Sequence, residues 1–370
     1  MSTDYLPILQ QLINFPTVSS QSNLECIDYI EDFLAQRQFT TRRIYNHDHS
    51  KANLIAHIGP EVDGGIMLAG HTDVVPVDGQ DWLTDPFCLV AKKGKLYGRG
   101  CADMKAFLAL IMELAATTDP DTLRKPLYLV FSYDEEVGCK GAKRLVEVLQ
   151  GMTTRPRFVL LGEPTNMDLA TAHKGLSLAT THIRGKSAHS SRPALGANAI
   201  LAAVKLIQQI EGILPTDQDA NFDPPNTSFN IGTIVGGNAC NIIPQDCQFV
   251  WEFRPLPSQD VQAVQQRFSE QVQLLQQELP GISVTNHIDA TVPGLCEGKN
   301  RKIARQLQLH LPDAKLATAS FVTEAGLYQL ADIPAIVCGP GHVNQAHQPN
   351  EFVAQEMLDQ CRKFLFKLVL

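Results

Sequence analysis

Through the first 174 residues, short unbroken apolar runs alternate with stretches whose apolar positions recur every three or four residues. Asn53–Ile58, Ile66–Ala69, Leu127–Ser132 and Phe158–Leu161 are of the first kind and predict strands buried in the core of a mostly parallel sheet. Between the strands, Leu24, Ile27, Ile30, Phe33 and Leu34 form a helical stripe behind the capping box Ser22-Asn23-Leu24-Glu25. Further helices are predicted over Phe107–Ala116 and Ala142–Leu149. This alternation predicts an α/β domain with helices on both faces of the sheet.

The pattern changes near Gly175. From Leu176 it reads strand, helix (Asn198–Ile213), strands (Ser228–Val235 and Cys247–Phe253), helix (Val261–Glu278) and strand (Ile282–His287). That order predicts a smaller α+β domain over 175–287, inserted into a discontinuous domain made of 1–174 and 288–370. The second part resumes with a helix over Arg301–His310, a strand over Ala335–Cys338 and a last helix over Gln355–Leu370. A chain of 370 residues suits two domains of about 100–200 residues each.

Composition narrows the functions. Hydrophobic residues make up 44% and charged residues 19%, with a net charge of −8 and no basic block, so a nucleic-acid surface is not expected. No apolar run approaches the ~18–20 residues of a membrane span. The first residues carry an acid and no Lys or Arg before Arg37, unlike a secretory leader. Nine cysteines scattered without CxxC spacing predict reduced thiols, and a cytoplasmic location follows as an expectation.

Chemistry-bearing residues gather where the apolar runs end: His71, Asp103, Glu135, Glu136, Glu163 and His347. In α/β sheets, ligands sit beyond the carboxyl ends of the strands. His71 and Asp73 leave an extended backbone from one face, so the carboxylate can orient the imidazole. Taken singly, His71–Asp73 reads equally as a structural pair, and Glu135-Glu136 as an exposed acidic turn. Taken together, two imidazoles and several carboxylates suit a divalent metal such as Zn²⁺. One metal needs three protein ligands and an open position. Two histidines and three carboxylates suit two metals with one carboxylate shared, leaving an acid to move protons in amide or peptide hydrolysis.

Five stretches carry a resemblance: Gly70-His71-Thr72-Asp73-Val74-Val75-Pro76, Gly98–Lys105, Asp134-Glu135-Glu136, Gly162-Glu163-Pro164-Thr165 and Ala346-His347-Gln348-Pro349. In this order they resemble the co-catalytic zinc aminoacylase/carboxypeptidase family, often called M20. The resemblance implies two Zn²⁺ per subunit, with Co²⁺ able to substitute, and a homodimer. Asp103 would bridge the metals, His71 and Glu163 would complete one site, and Glu136 and His347 the other. Glu135 would be the general base and Asp73 the partner of His71. The inserted segment would be the lid or dimerisation domain. Its Gly185–Ser191 stretch resembles the motif whose histidine, here His189, stabilises the oxyanion.

Further stretches, among them Phe131–Cys139, Ala172–Gly175, Trp251–Pro255, Thr323–Gly326 and Cys338–Gly341, resemble the branch of the family that deacetylates N²-acetyl-L-ornithine. That substrate is the expectation, with another N-acyl amino acid (acetylcitrulline, succinyl-diaminopimelate) or a dipeptide as the alternative within the family. A non-catalytic amino-acid or peptide binding protein is the alternative of another class. Arg254 resembles the lid arginine that grips a substrate carboxylate, though its position alone reads as a surface arginine. Asn241 resembles a lid residue that helps bind substrate. Glu324 has two readings, as a partner for the δ-ammonium of ornithine or as a cap on the helix that starts near Ala325. Ala106 and Asn350 depart from the family pattern, which has glycine and aspartate there.

Overall fold

The computed structural model describes residues 4–370. The chain divides into two compact units, one comprising the chain through Ala172 with Leu295–Thr318 and Thr323–Leu370, the other His173–Gly294 with Ala319–Val322. In chain order the strands are β1 (Thr40–Tyr45), β2 (Ala52–Ile58), β3 (Ile66–His71), β4 (Val90–Lys92), β5 (Lys95–Tyr97), β6 (Leu127–Ser132), β7 (Phe158–Pro164) and β8 (Leu169–His173). There follow β9 (Leu176–Arg184), β10 (Ser228–Gly236), β11 (Asp246–Arg254) and β12 (Ser283–Val292), then β13 (Leu316–Ala319), β14 (Ala335–Gly339) and β15 (Phe352–Ala354).

The large sheet has the order β1-β2-β6-β3-β7-β14-β8-β13. Its central strands β6, β3, β7 and β14 run parallel, so their carboxyl ends share one edge. β2 runs antiparallel to β6 and β1 antiparallel to β2. The apolar run of β2 reports burial, which is observed, but carries no information on direction.

The helix Lys105–Thr117 is buried from Lys105 through Ala115. Apart from Lys105 and Glu113 its buried positions are apolar on every side, as a core helix requires. It packs on β3, β7 and the helices Tyr5–Asn14, Leu24–Ala35 and Gln355–Val369. Two glycines let it approach the sheet. A Cβ on Gly162 would lie 1.9 Å from the Phe107 ring, and one on Gly70 would lie 2.4 Å from the Met104 methyl. With no side chain intervening, Asp103 at the head of this helix comes level with the ends of β3 and β7. Lys105 anchors the same turn from below, donating to the carbonyls of Leu12 (3.0 Å) and Phe15 (2.7 Å) at the end of the first helix.

The helix over Leu24–Ala35 forms with Ile27, Ile30 and Leu34 buried. Its expected capping box does not. Asn23 stands at the N-cap, but its amide donates to Ala52 and Thr72 instead, and Ser22 accepts the Leu24 N–H at 3.2 Å. A tertiary partner has outbid the local one.

The second unit is an antiparallel sheet, β10-β11-β9-β12, with the helices Ala199–Ile213 and Val261–Glu278 packed against it. Phe249, Trp251 and Phe253 alternate along β11 into a core shared with Phe268. β12 continues beyond His287 and pairs Val292 with Leu176. That pairing carries the unit to Gly294, seven residues past the boundary expected at 287/288. β10 is an edge strand and leaves Phe229, Ile234 and Val235 exposed.

Candidate metal centre

β3 and β7 are parallel neighbours with Ala69 opposite Leu161, so His71 and Glu163, two residues on in each, stand at the same level. β7 extends to Pro164, which puts Glu163 inside the strand rather than beyond its end. β6 ends at Ser132, and the turn that follows carries Glu135 and Glu136. β14 ends at Gly339, and the loop beyond it carries His347.

These elements bring five of the expected residues into two groups. The ligand atoms of His71, Asp103 and Glu163 lie within 4.8 Å of one another, as do those of Asp103, Glu136 and His347. Asp103 belongs to both, and it divides its oxygens between them: Oδ1 lies 3.0 Å from His71 Nε2, and Oδ2 lies 3.4 Å from His347 Nε2. His347 Nε2 is also 3.0 Å from Glu136 Oε2. Glu163 Oε1 is 3.9 Å from His71 Nε2, buried and without a hydrogen-bond partner.

The electrostatics fit a cation. Burial alone would lower His71, but the carboxylates of Asp103, Asp73 and Glu163 outweigh it and hold the imidazole well above its usual range. Hydrogen bonds to Asp103 and Glu136 push His347 up to about 10. Burial, reinforced by neighbouring carboxylates, raises Glu135 and Glu163 far above the ordinary carboxylate range and Glu136 to about 7. Too much negative charge is packed against two imidazoles, so the cluster retains protons. A divalent ion neutralises the same charge by displacing them. The donor set of imidazole nitrogens and carboxylate oxygens therefore fits a borderline divalent metal.

The imidazole tautomer is also prepared. His71 Nδ1 donates to the main-chain carbonyl of Asp73 at 2.9 Å, which leaves Nε2 for the cluster. The Asp73 carboxylate is farther from the ring, at 3.6 Å. Its oxygens accept instead the N–H groups of Glu135 (3.0 Å) and Glu136 (3.3 Å). Asp73 thus holds the turn that bears both glutamates, a task its spacing from His71 did not disclose. Ser19, which belongs to no motif, donates to Asp73 Oδ2 at 2.6 Å. Lys51 pairs with Asp134 and donates to the Ser19 carbonyl, tying the same turn from the other side. The Cys139 thiol faces Glu135 Oε1 at 3.5 Å.

Glu324 corrects its expected reading as a helix cap. It occupies the N-cap position without a capping bond, because Thr323 Oγ1 accepts the Ala325 N–H at 3.0 Å. The residue is 1% exposed, with its carboxyl group beside Ser132. Burial pushes it up to about 7.

The second unit holds the remaining candidates. His189 and Asn241 lie on adjoining loops, bridged at His189–Ile242 and by the Ser190 N–H donating to the Asn241 carbonyl at 3.0 Å. His189 is exposed, with Nδ1 2.8 Å from Ser191 Oγ. Arg254 donates from Nε and Nη2 to the two Glu252 oxygens at 3.0 and 3.3 Å, so its fork is occupied in this conformation.

The chain is similar to known proteins in sequence and in fold. Residues 67–370 match the model of the peptidase family M20/M25/M40. An acetylornithine deacetylase of Myxococcus xanthus is 36% identical over 380 residues, covering 99% of this chain and 98% of that protein. An M20 family metallo-carboxypeptidase from Sulfolobus solfataricus superposes with a TM-score of 0.82 at 17% identity, covering 99% of this chain and 98% of that one. A dinuclear metal-binding peptidase of the M20 family from Bacillus subtilis gives 0.69 at 17% identity, covering 98% and 96%.

Proposed function

The chain belongs to the peptidase family M20/M25/M40, and we propose that it is a two-metal amidohydrolase that cleaves N²-acetyl-L-ornithine to L-ornithine and acetate. The observation that carries the reading is Asp103, whose two oxygens face His71 on one side and His347 on the other. His71, Asp103 and Glu163 would hold one Zn²⁺, and Asp103, Glu136 and His347 the second, with Co²⁺ able to replace either. When bound, such a pair supplies polarisation of the acetyl carbonyl and a water nucleophile at neutral pH.

The protein's own residues do the rest. Glu135, fixed at its main chain by Asp73, takes the proton of the attacking water and delivers it to the leaving amine. His189 donates to the developing oxyanion. Arg254 leaves Glu252 to grip the substrate carboxylate, for which a guanidinium fork is suited, and Asn241 assists. The substrate assignment is supported by the acetylornithine deacetylase relative, which matches along nearly the whole length of both chains.

The second unit would act as lid and dimerisation domain. Its apolar edge strand β10 supports a homodimer, since an unpaired edge with exposed Phe229, Ile234 and Val235 invites a partner strand. Among the described residues no helix is long and apolar enough to cross a membrane. The buried free thiols of Cys26, Cys101, Cys139, Cys338 and Cys361 suit the reducing cytoplasm.

The test is amine release from N²-acetyl-L-ornithine by the metal-loaded protein, run beside N-acetylcitrulline, N-succinyl-diaminopimelate and a dipeptide. Highest kcat/KM on acetylornithine is expected. A higher value on another compound keeps the site and overturns the substrate. No hydrolysis of any of them would favour the binding-protein alternative.

A further inference from the structure

His347 stands on a loop, and two residues outside the donor set tie that loop to the one carrying Asp103. Arg99 and Glu351, each 1% exposed, form a buried pair with Nη1 to Oε2 at 2.7 Å. The other Glu351 oxygen accepts the main-chain N–H groups of Ala102 at 2.7 Å and Asp103 at 3.1 Å. Arg99 spans the opposite way. It donates to the Gln348 carbonyl at 3.3 Å and to Gln80 Oε1 at 2.7 Å, and Gln80 Nε2 donates to the His347 carbonyl at 3.0 Å. Trp82 Nε1 donates to the same Gln80 oxygen at 3.1 Å.

A buried ion pair is a weak source of net stability, because desolvation offsets its Coulombic attraction. Here its remaining hydrogen bonds reach the main chain on either side of the donor set, directly or through the Gln80 side chain. The contacts of Arg99 and Glu351 land on the segments of Asp103 and His347, whereas His71 and Glu163 are held by the sheet itself.

We infer that Arg99 and Glu351 are positioning residues that set the separation of Asp103 from His347 and so govern metal uptake by the Asp103–Glu136–His347 group selectively. The inference rests on the two-metal reading above. Without the brace, the His347 loop loses its tie to the Asp103 segment, and the loop must be ordered at the moment a metal binds. The His71–Asp103–Glu163 group keeps its two strand-borne ligands in place.

The test is calorimetric titration of metal-free Glu351→Gln with Zn²⁺, beside the parent. The amide keeps one acceptor for a main-chain N–H but removes the charge facing Arg99. One equivalent should bind within about threefold of the parent, and the other should weaken by about 10- to 100-fold, the usual scale for groups that orient ligands. In the metal-saturated enzyme kcat should fall while KM stays within about twofold, as expected when transition-state rather than ground-state contacts suffer. Arg99→Lys, which retains charge without the fork, should weaken the same equivalent to an intermediate degree. Gln80→Ala lies at the outer end of the brace and should do so least, which keeps the test decisive if Glu351→Gln does not fold. Parent-like binding of both equivalents in the folded variants overturns the inference. Equal weakening of both overturns it too, since that marks a general structural role. A parent that takes up fewer than two equivalents overturns the two-metal reading itself, so the two failures are distinguishable.

Discussion

The two histidine–carboxylate groups share Asp103 but are built by different means. His71 and Glu163 project from adjacent parallel strands, with side chains 1% and 7% exposed. Glu136 and His347 project from loops. The His347 side chain is 52% exposed, and its backbone lies in the left-handed region at φ 63°. Sheet hydrogen bonding sets the first group. The second depends on Asp73 gripping the glutamate turn and on the Arg99–Glu351 pair holding the histidine loop. A site can thus combine one group fixed by the sheet with another placed by buried polar braces.

Removing the shared member should break both groups at once. Asp103→Ala is expected to lose both metal equivalents and at least about 10³-fold in turnover, because Lewis-acid and nucleophile-generating roles disappear together. Metal analysis of the purified variant checks this, and retention of one full equivalent would show that Asp103 is not shared. Glu135→Gln should separate chemistry from metal binding. Turnover should fall by about 10²- to 10⁴-fold, the usual range for a lost general base, with both metals retained. Substantial activity in that variant would mean the base has been misassigned.

Histidine environment offers a sharper contrast. His71 is held high by carboxylates, whereas His173, equally buried, has only the Lys174 carbonyl at 2.7 Å on Nδ1 and no partner on Nε2. Burial pushes His173 down from 6.5 to about 4. The unfolded chain therefore takes up a proton first as the pH falls. Stability contributed by the neutral ring is complete above about pH 6.5 and is lost progressively toward pH 4, by up to roughly 3 kcal/mol at 1.36 kcal/mol per unit. Denaturant unfolding of His173→Gln between those pH values should show a shallower decline than the parent. Parallel slopes would contradict the buried neutral ring.

Ser19→Ala probes the support beneath the loop-borne group. Losing its hydrogen bond to Asp73 should cost about 1 kcal/mol and a few-fold in kcat, with the His71 group unaffected. Glu324→Gln should change least in selectivity. The ratio of kcat/KM for acetylornithine to that for acetylmethionine should stay within about twofold, since a side chain 1% exposed presents almost no surface to a substrate. A collapse of that ratio would restore the ammonium-reading role.

Much of the strand-borne group was legible in the sequence because the apolar runs within β3, β6 and β7 stop where the chemistry begins, although β3 and β7 themselves continue through His71 and Glu163. Family resemblance supplied the allocation of ligands, which spacing had left open between one metal and two. The braces were not legible. Arg99 and Glu351 lie 252 positions apart, and each reads alone as an ordinary charged residue. Ser19 and Asn23 were obscured for a related reason, since short polar side chains look like local caps until a distant partner claims them. β1, with the sequence Thr-Thr-Arg-Arg-Ile-Tyr, shows no apolar run because it forms the edge of the large sheet.

Amine release from N²-acetyl-L-ornithine, followed as Zn²⁺ is added stepwise to metal-free protein, distinguishes catalysis by two metals from catalysis by one or none. Two-metal catalysis requires negligible turnover without metal and a rise that is complete at two equivalents. Undiminished turnover by the metal-free protein, or activity complete at one equivalent with no second binding event, would contradict it.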